Sequence, residues 1–178
     1  DRLTVCSASW GGVVAMAYAV CHPQRLERLI LASMGTRPNQ KMIETITKGL
    51  EMPTANRLQV AESLIDSFGQ DLPEAMKNQI ARQFQRMGTE ELAAFCQHGI
   101  MVLSVRELGK VVDASKIQCP TTLVHGENDT IVDLEDVRFL AGQIPHSEIK
   151  VIKNVGHFLH LENTELLEVY AEILAAPS

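Results

Sequence analysis

Residues 6–12, Cys6-Ser7-Ala8-Ser9-Trp10-Gly11-Gly12 (CSASWGG), decide how this chain is read. They join a short apolar stretch, Leu3 to Cys6, to a run from Trp10 to Val20 rich in small residues, among them Gly11, Gly12, Ala15, Ala17 and Ala19. The first has the length of a buried strand, and the second the composition of a closely packed helix that His22-Pro23 ends. Leu26 to Ser33 then reads as a second apolar strand, closed by Gly35. A strand, helix, strand order with so long a crossover implies parallel pairing, the mark of an α/β sheet. Ser9 stands at the first strand-to-helix turn.

Working outward, the character changes after Pro38. Met42, Ile43, Ile46 and Leu50, then Leu58, Val60, Leu64, Ile65 and Phe68, recur at helical spacing with no clear strand, and Pro53, Gly69, Pro73 and Gly88 punctuate them. About four helices are expected, with Thr89 as the N-cap of one, since its hydroxyl can take an unpaired backbone N–H. After Cys119-Pro120 the alternation returns. TTLVHG (121–126) reads as a strand, Leu134 to Gln143 as a helix, EIKVIKNV (148–155) as a strand, and Thr164 to Leu174 as a closing helix. The expected organisation is an α/β core from residues 1–36 and 113–178, interrupted by a helical insertion at 37–112.

Bulk properties narrow the function classes. The chain has 178 residues, 46% of them hydrophobic, and a formal net charge of -6. No Lys/Arg run could track a phosphate backbone, which argues against a nucleic-acid partner. The apolar runs fall short of a membrane span and no leader pattern opens the chain, so a cytoplasmic protein is expected. Cys6, Cys21, Cys96 and Cys119 lack any C-x-x-C or zinc-ligand spacing and are expected to be buried free thiols, with no metal.

A serine hydroxyl needs a base to become a nucleophile, and the base needs an orienting group. Small residues at positions 7 and 11 would let the backbone turn sharply at Ser9, exposing its oxygen at the carboxyl end of the sheet. The helix beyond would favour an oxyanion, with the Trp10 N–H as donor. The other reading is that Ser9 caps the helix. Downstream, Asp129 follows LVHGEN at the end of one strand and His157 follows VIKNVG at the end of the next, giving the chain order Ser, Asp, His. Three loops at one sheet edge can converge, so that His157 takes the Ser9 proton while Asp129 holds the other ring nitrogen. Glu127 and Asp133 are alternative acids, although Asp133 also suits the N-cap of the helix at Leu134. His22 and His98 read as structural or solvated, His125 as packed at a strand end, and His160 as a rim residue.

SASWGG, HGEND and GHFLHLEN, in this order and spacing, resemble the α/β-hydrolase superfamily over essentially the whole chain. More narrowly, Ser7, Trp10, the Glu-Asp pair at 135–136 and GHFLHLEN resemble 3-hydroxyacyl-carrier-protein acyltransferases of rhamnolipid or polyhydroxyalkanoate synthesis. Thr130-Ile131-Val132 and His160 depart from their usual pattern. The resemblance implies a mostly parallel α/β-hydrolase sheet, incomplete at its N-terminal side, with the insertion as a helical cap. It also implies an upstream segment or companion chain supplying further strands and a second oxyanion donor.

The activity implied is serine acyl transfer, to water or to another acceptor, from an aliphatic ester or thioester. No cofactor is called for. Trp10, Met42, Phe84, Phe95 and Phe158, with Ile46, Phe68 and Met101, could line an acyl pocket or simply pack together. If a carrier protein delivers the acyl group, its acidic surface could meet Lys41, Lys48, Arg82 or Arg86, which otherwise serve as solvated helix charges. The competing class is a noncatalytic ligand-binding protein that keeps the fold.

Overall fold

The computed structural model describes residues 2–52, 56–164 and 166–175. Pro53, expected to punctuate the insertion, lies outside them. Four parallel strands, β1 (Leu3–Ala8), β2 (Leu26–Ala32), β3 (Thr121–Gly126) and β4 (Ser147–Ile152), form one sheet in the order β1-β2-β3-β4. Helix α1 (Gly11–Cys21) connects β1 to β2 and α6 (Leu134–Gln143) connects β3 to β4, each as a crossover between parallel neighbours. Helix α7 (Leu166–Ala175) follows β4. Between β2 and β3 stand α2 (Gln40–Glu51), α3 (Arg57–Phe68), α4 (Glu74–Arg86) and α5 (Thr89–Val105).

The period-two geometry of a strand divides the core between two faces. Leu29 and Leu31 of β2 join Met16, Ile117, Leu123, Ile131 and Leu140 on one face. Ile30 and Ala32 join Val124, Val155, Leu159, Leu166 and Ile173 on the other. Burial of both faces is why successive positions are apolar at Leu29 to Ala32 of β2 and at Leu123 and Val124 of β3. A third cluster, Val60, Ala61 and Phe84, lies within the inserted helices.

The two ends of the helical block meet at the sheet, where the Leu108 N–H donates to the Thr36 carbonyl at 2.7 Å. Asp136, on α6 and only 7% exposed, fastens the outgoing end. Its carboxylate accepts from the Thr36 N–H at 2.6 Å, from the Thr36 hydroxyl and from the Arg37 N–H at 3.1 Å.

Several local expectations are corrected. Of the four free thiols only Cys119 is buried; Cys96 is half-buried, and Cys6 and Cys21 are exposed. The pattern of β1 explains Cys6, because that strand is exposed at alternate positions and beyond. Gly88, not Thr89, occupies the cap of α5, and the Glu91 carboxylate accepts its N–H at 2.7 Å. Asp133 sits at the N-cap of α6, but its side chain bonds no helix N–H; its carboxylate accepts instead from Asn39 Nδ2 at 2.9 Å.

Candidate active site

Ser9 follows β1 directly and has φ +49°, in the left-handed region that a residue with a Cβ seldom enters. The turn is held from both sides: the Ser9 N–H donates to Ala32 O at 2.8 Å, and Ser9 O accepts from the Gly12 N–H at 2.9 Å. A Cβ on Gly12 would stand 2.9 Å from Met34 Cγ, so glycine lets α1 lie close against the end of β2. Ser7 is tolerated where the turn needs a small residue, its hydroxyl donating to Ile30 O at 3.3 Å. No side chain caps α1. Ser9 Oγ is therefore not spent as a helix cap; it lies 3.0 Å from His157 Nε2.

His157 Nδ1 lies 2.9 Å from Asp129 Oδ2. The other carboxylate oxygen, Oδ1, accepts the N–H groups of Ile131 and Val132 at 2.9 and 3.0 Å. Burial pushes the Asp129 carboxyl up. The His157 bond and charge, with the two backbone donors, outweigh it and hold the group below its ordinary value. Phe68 and Phe158 meet the His157 ring edge-on, with centroids 5.5 and 5.7 Å away. A hydroxyl, an imidazole and a carboxylate thus form one continuous hydrogen-bonded row at the carboxyl edge of the sheet.

The acid and histidine loops can touch because of Gly126. A Cβ there would fall 2.2 Å from Gly156 O and 2.5 Å from Val155 O, both backbone atoms. The Asn128 N–H donates to Val155 O at 2.9 Å across the same contact.

The row opens into a cavity of about 610 Å³ between the sheet edge and the inserted helices. Trp10, Met42, Ile46, Phe68, Phe84, Phe95 and Phe158 line it. Met101 does not; it is 47% exposed on α5. His98, expected to be structural or solvated, is on the cavity wall, its ring centroid 5.0 Å from that of Trp10. Burial holds the His98 imidazole below its ordinary value. His160 is at the rim and meets Tyr170 edge-on, whereas His22 packs on Tyr18 away from the row.

His125 is buried at the end of β3, and desolvation lowers its pKa against the opposing pull of Asp129. Of the basic residues considered for a carrier surface, Lys41 donates to Thr130 Oγ1 at 2.6 Å, while Lys48, Arg82 and Arg86 are exposed. Sequence reasoning missed Ser33, which also lines the cavity. Its position at the carboxyl end of β2, matching that of Ser9 after β1, was the available signal. Among the described residues no group of three or more His, Cys, Asp or Glu side chains could hold a metal ion, and no helix is long and apolar enough to cross a membrane.

The family described as serine aminopeptidase, S33 (Hydrolase_4) matches residues 1–164. The chain is 27% identical over 165 residues to an (R)-3-hydroxydecanoyl-ACP:CoA transacylase of Pseudomonas putida, covering 92% of this chain and 56% of that protein. It is 29% identical over 168 residues to a 2-hydroxymuconate semialdehyde hydrolase of Pseudomonas putida, covering 88% of this chain and 56% of the relative. The chain thus spans about half the length of these curated relatives. Among solved structures it superposes on MGS-M2, an alpha/beta hydrolase from a Medee basin deep-sea metagenome library, with TM-score 0.82 at 16% identity, over 99% of this chain and 66% of that one. An esterase from Exiguobacterium antarcticum gives TM-score 0.79 at 18% identity, over 99% and 68% of the two chains. With its parallel sheet and its match over residues 1–164, the chain belongs to the serine aminopeptidase S33 family and has the α/β-hydrolase fold.

Proposed function

We propose that this chain carries the serine acyl-transfer centre of an enzyme that acts on an aliphatic ester or thioester, with Ser9 as nucleophile, His157 as general base and acid, and Asp129 as its orienting carboxylate. The observation that carries the reading is the row itself, 3.0 Å from Ser9 Oγ to His157 Nε2 and 2.9 Å from His157 Nδ1 to Asp129 Oδ2, opening on an apolar cavity.

Nε2 takes the hydroxyl proton as Oγ attacks the acyl carbonyl, and returns it to the leaving alcohol or thiol. Asp129 stabilises the transient imidazolium. The Trp10 N–H, first after the nucleophile, donates to the developing oxyanion at the head of α1, where the helix dipole adds to it. Residues 37–112 act as a cap whose Met42, Phe84 and Phe95 hold the acyl chain. A pliable methionine-containing wall suits a flexible aliphatic chain better than a flat ring. The transacylase relatives support an acyl group carried as a thioester, and the hydrolase relatives support release to water; cap closure and the acceptor decide between them.

The test is labelling of the full-length protein with a fluorophosphonate, followed by peptide mass mapping. An adduct on Ser9 that Ser9→Ala abolishes supports the reading. A folded, unlabelled protein would instead be a binding module. Product analysis with 3-hydroxyacyl thioesters and short esters then separates transferase from esterase.

A further inference from the structure

The row of side chains explains how His157 is held at rest, but not how it is held in mid-reaction. Once Ser9 Oγ has become an ester oxygen it no longer carries a proton to share, and one of the two polar anchors of the ring is lost. Water or another acceptor must then meet Nε2 at the same place. Contacts to the His157 backbone do not change with the chemistry.

Those contacts are unusually complete. The Glu162 carboxylate brackets the histidine, with one oxygen accepting the Gly156 N–H and the other the Phe158 N–H, the latter at 2.9 Å. The carbonyl of His157 itself accepts the Ser33 hydroxyl at 2.7 Å. Ser33 is only 1% exposed and is fixed to the sheet by its own N–H, which donates to Val124 O at 2.9 Å. Its φ of +49° is a conformation that costs a residue with a Cβ, and it places this residue between the end of β2 and the His157 loop. Side chains thus hold three consecutive backbone sites around the base, and a carboxylate acceptor makes two of these bonds charge-assisted.

We propose that Glu162 and Ser33 are positioning residues that keep the His157 imidazole in register through the acyl-enzyme stage, so that their chief effect is on deacylation. This rests on the acyl-transfer reading above. In acylation the Ser9 proton passes to Nε2, the Oγ–carbonyl bond forms, and the leaving group departs with that proton. In deacylation an acceptor O–H or S–H gives its proton to Nε2 and bonds the carbonyl carbon. The Oγ–carbonyl bond then breaks, and Oγ recovers the proton. Both stages use Nε2, but only the first begins with Ser9 Oγ–H already bonded to it. Loss of the backbone bracket therefore weighs on the second.

The test is stopped-flow hydrolysis of a p-nitrophenyl alkanoate by the full-length protein and by Glu162→Ala, Glu162→Gln and Ser33→Ala. Displacement of a base by about 1 Å costs on the order of 100-fold. Glu162→Ala is expected to lower the steady-state rate by about that factor and the acylation rate by only about 5-fold. A burst of nitrophenol should appear, and the acyl-Ser9 adduct should accumulate in mass spectra. Glu162→Gln, whose amide oxygen can still accept an N–H, should recover part of the loss. Ser33→Ala should act in the same direction, and the double variant should fall short of the product of the two effects.

Acylation and steady-state rates that fall together, or neither falling, in variants with unchanged near-ultraviolet circular dichroism would overturn the inference while leaving Ser9 labelling intact. A wild-type protein that forms no Ser9 adduct overturns the inference together with the reading beneath it. Should Glu162→Ala not fold, Glu162→Gln and Ser33→Ala make the same comparison.

Discussion

At the scale of single residues, the proposed acyl transfer rests on Asp129 as much as on Ser9. Asp129→Asn keeps the shape but offers His157 Nδ1 an amide in place of a carboxylate, and the imidazolium loses its counter-charge. Turnover is expected to fall about 10⁴-fold with little change in KM, read from steady-state kinetics. The same residue ties stability to acidity. Its carboxyl is held below the ordinary value of 3.8 in the folded chain. Its contribution is therefore fully present above that pH and is lost as the pH falls through the lower, folded-state value. Urea titrations between pH 6 and pH 3 should show the wild type losing stability faster than Asp129→Asn. The triad candidates were legible because each follows a recognisable strand. The roles of Ser33 and Glu162 were not: the place of Ser33 at the end of β2 marks it for the site but not its bond to the His157 carbonyl, and a glutamate five positions beyond a histidine carries no pattern until the chain is folded.

At the scale of elements, two close approaches fix the site. Gly126→Ala would drive a Cβ into the backbone carbonyl of Gly156, 2.2 Å away, forcing the histidine and acid loops apart. A lower melting temperature and a loss of turnover on the order of 100-fold are expected, checked by calorimetry and ester hydrolysis. Asp136→Ala would strip Thr36 and Arg37 of their buried acceptor and destabilise the protein by roughly 3 kcal/mol, measured by urea unfolding. The strands and most helix bounds were readable from apolar runs and helical spacing, and α6 from a run bounded by Asp133 and Ile144. The burial of Cys6 was misjudged because an apolar run does not reveal that its strand lies at a sheet edge. The place of His98 on the cavity wall was not legible because helical spacing shows which residues share a side of α5, not what that side meets.

At the scale of the whole molecule, the inserted helices and the sheet edge enclose the cavity together, so its length can be changed from the helices alone. Gly49 of α2 lines the cavity and has no described neighbour within 4 Å of an added Cβ. Gly49→Leu is expected to raise stability by about 0.5–1 kcal/mol through helix propensity. It should also shift the preference among p-nitrophenyl esters toward shorter acyl chains, with turnover of the acetate nearly unchanged.

The outgoing and returning ends of the helical block leave the sheet one hydrogen bond apart, at Thr36 and Leu108. Such a stem makes the block an exchangeable cassette: a roof of different size, or a short turn in its place, can be spliced across that gap with little added closure entropy. Diversification of what the cavity accepts can thus proceed above the stem while the turn at Ser9 below it is inherited intact.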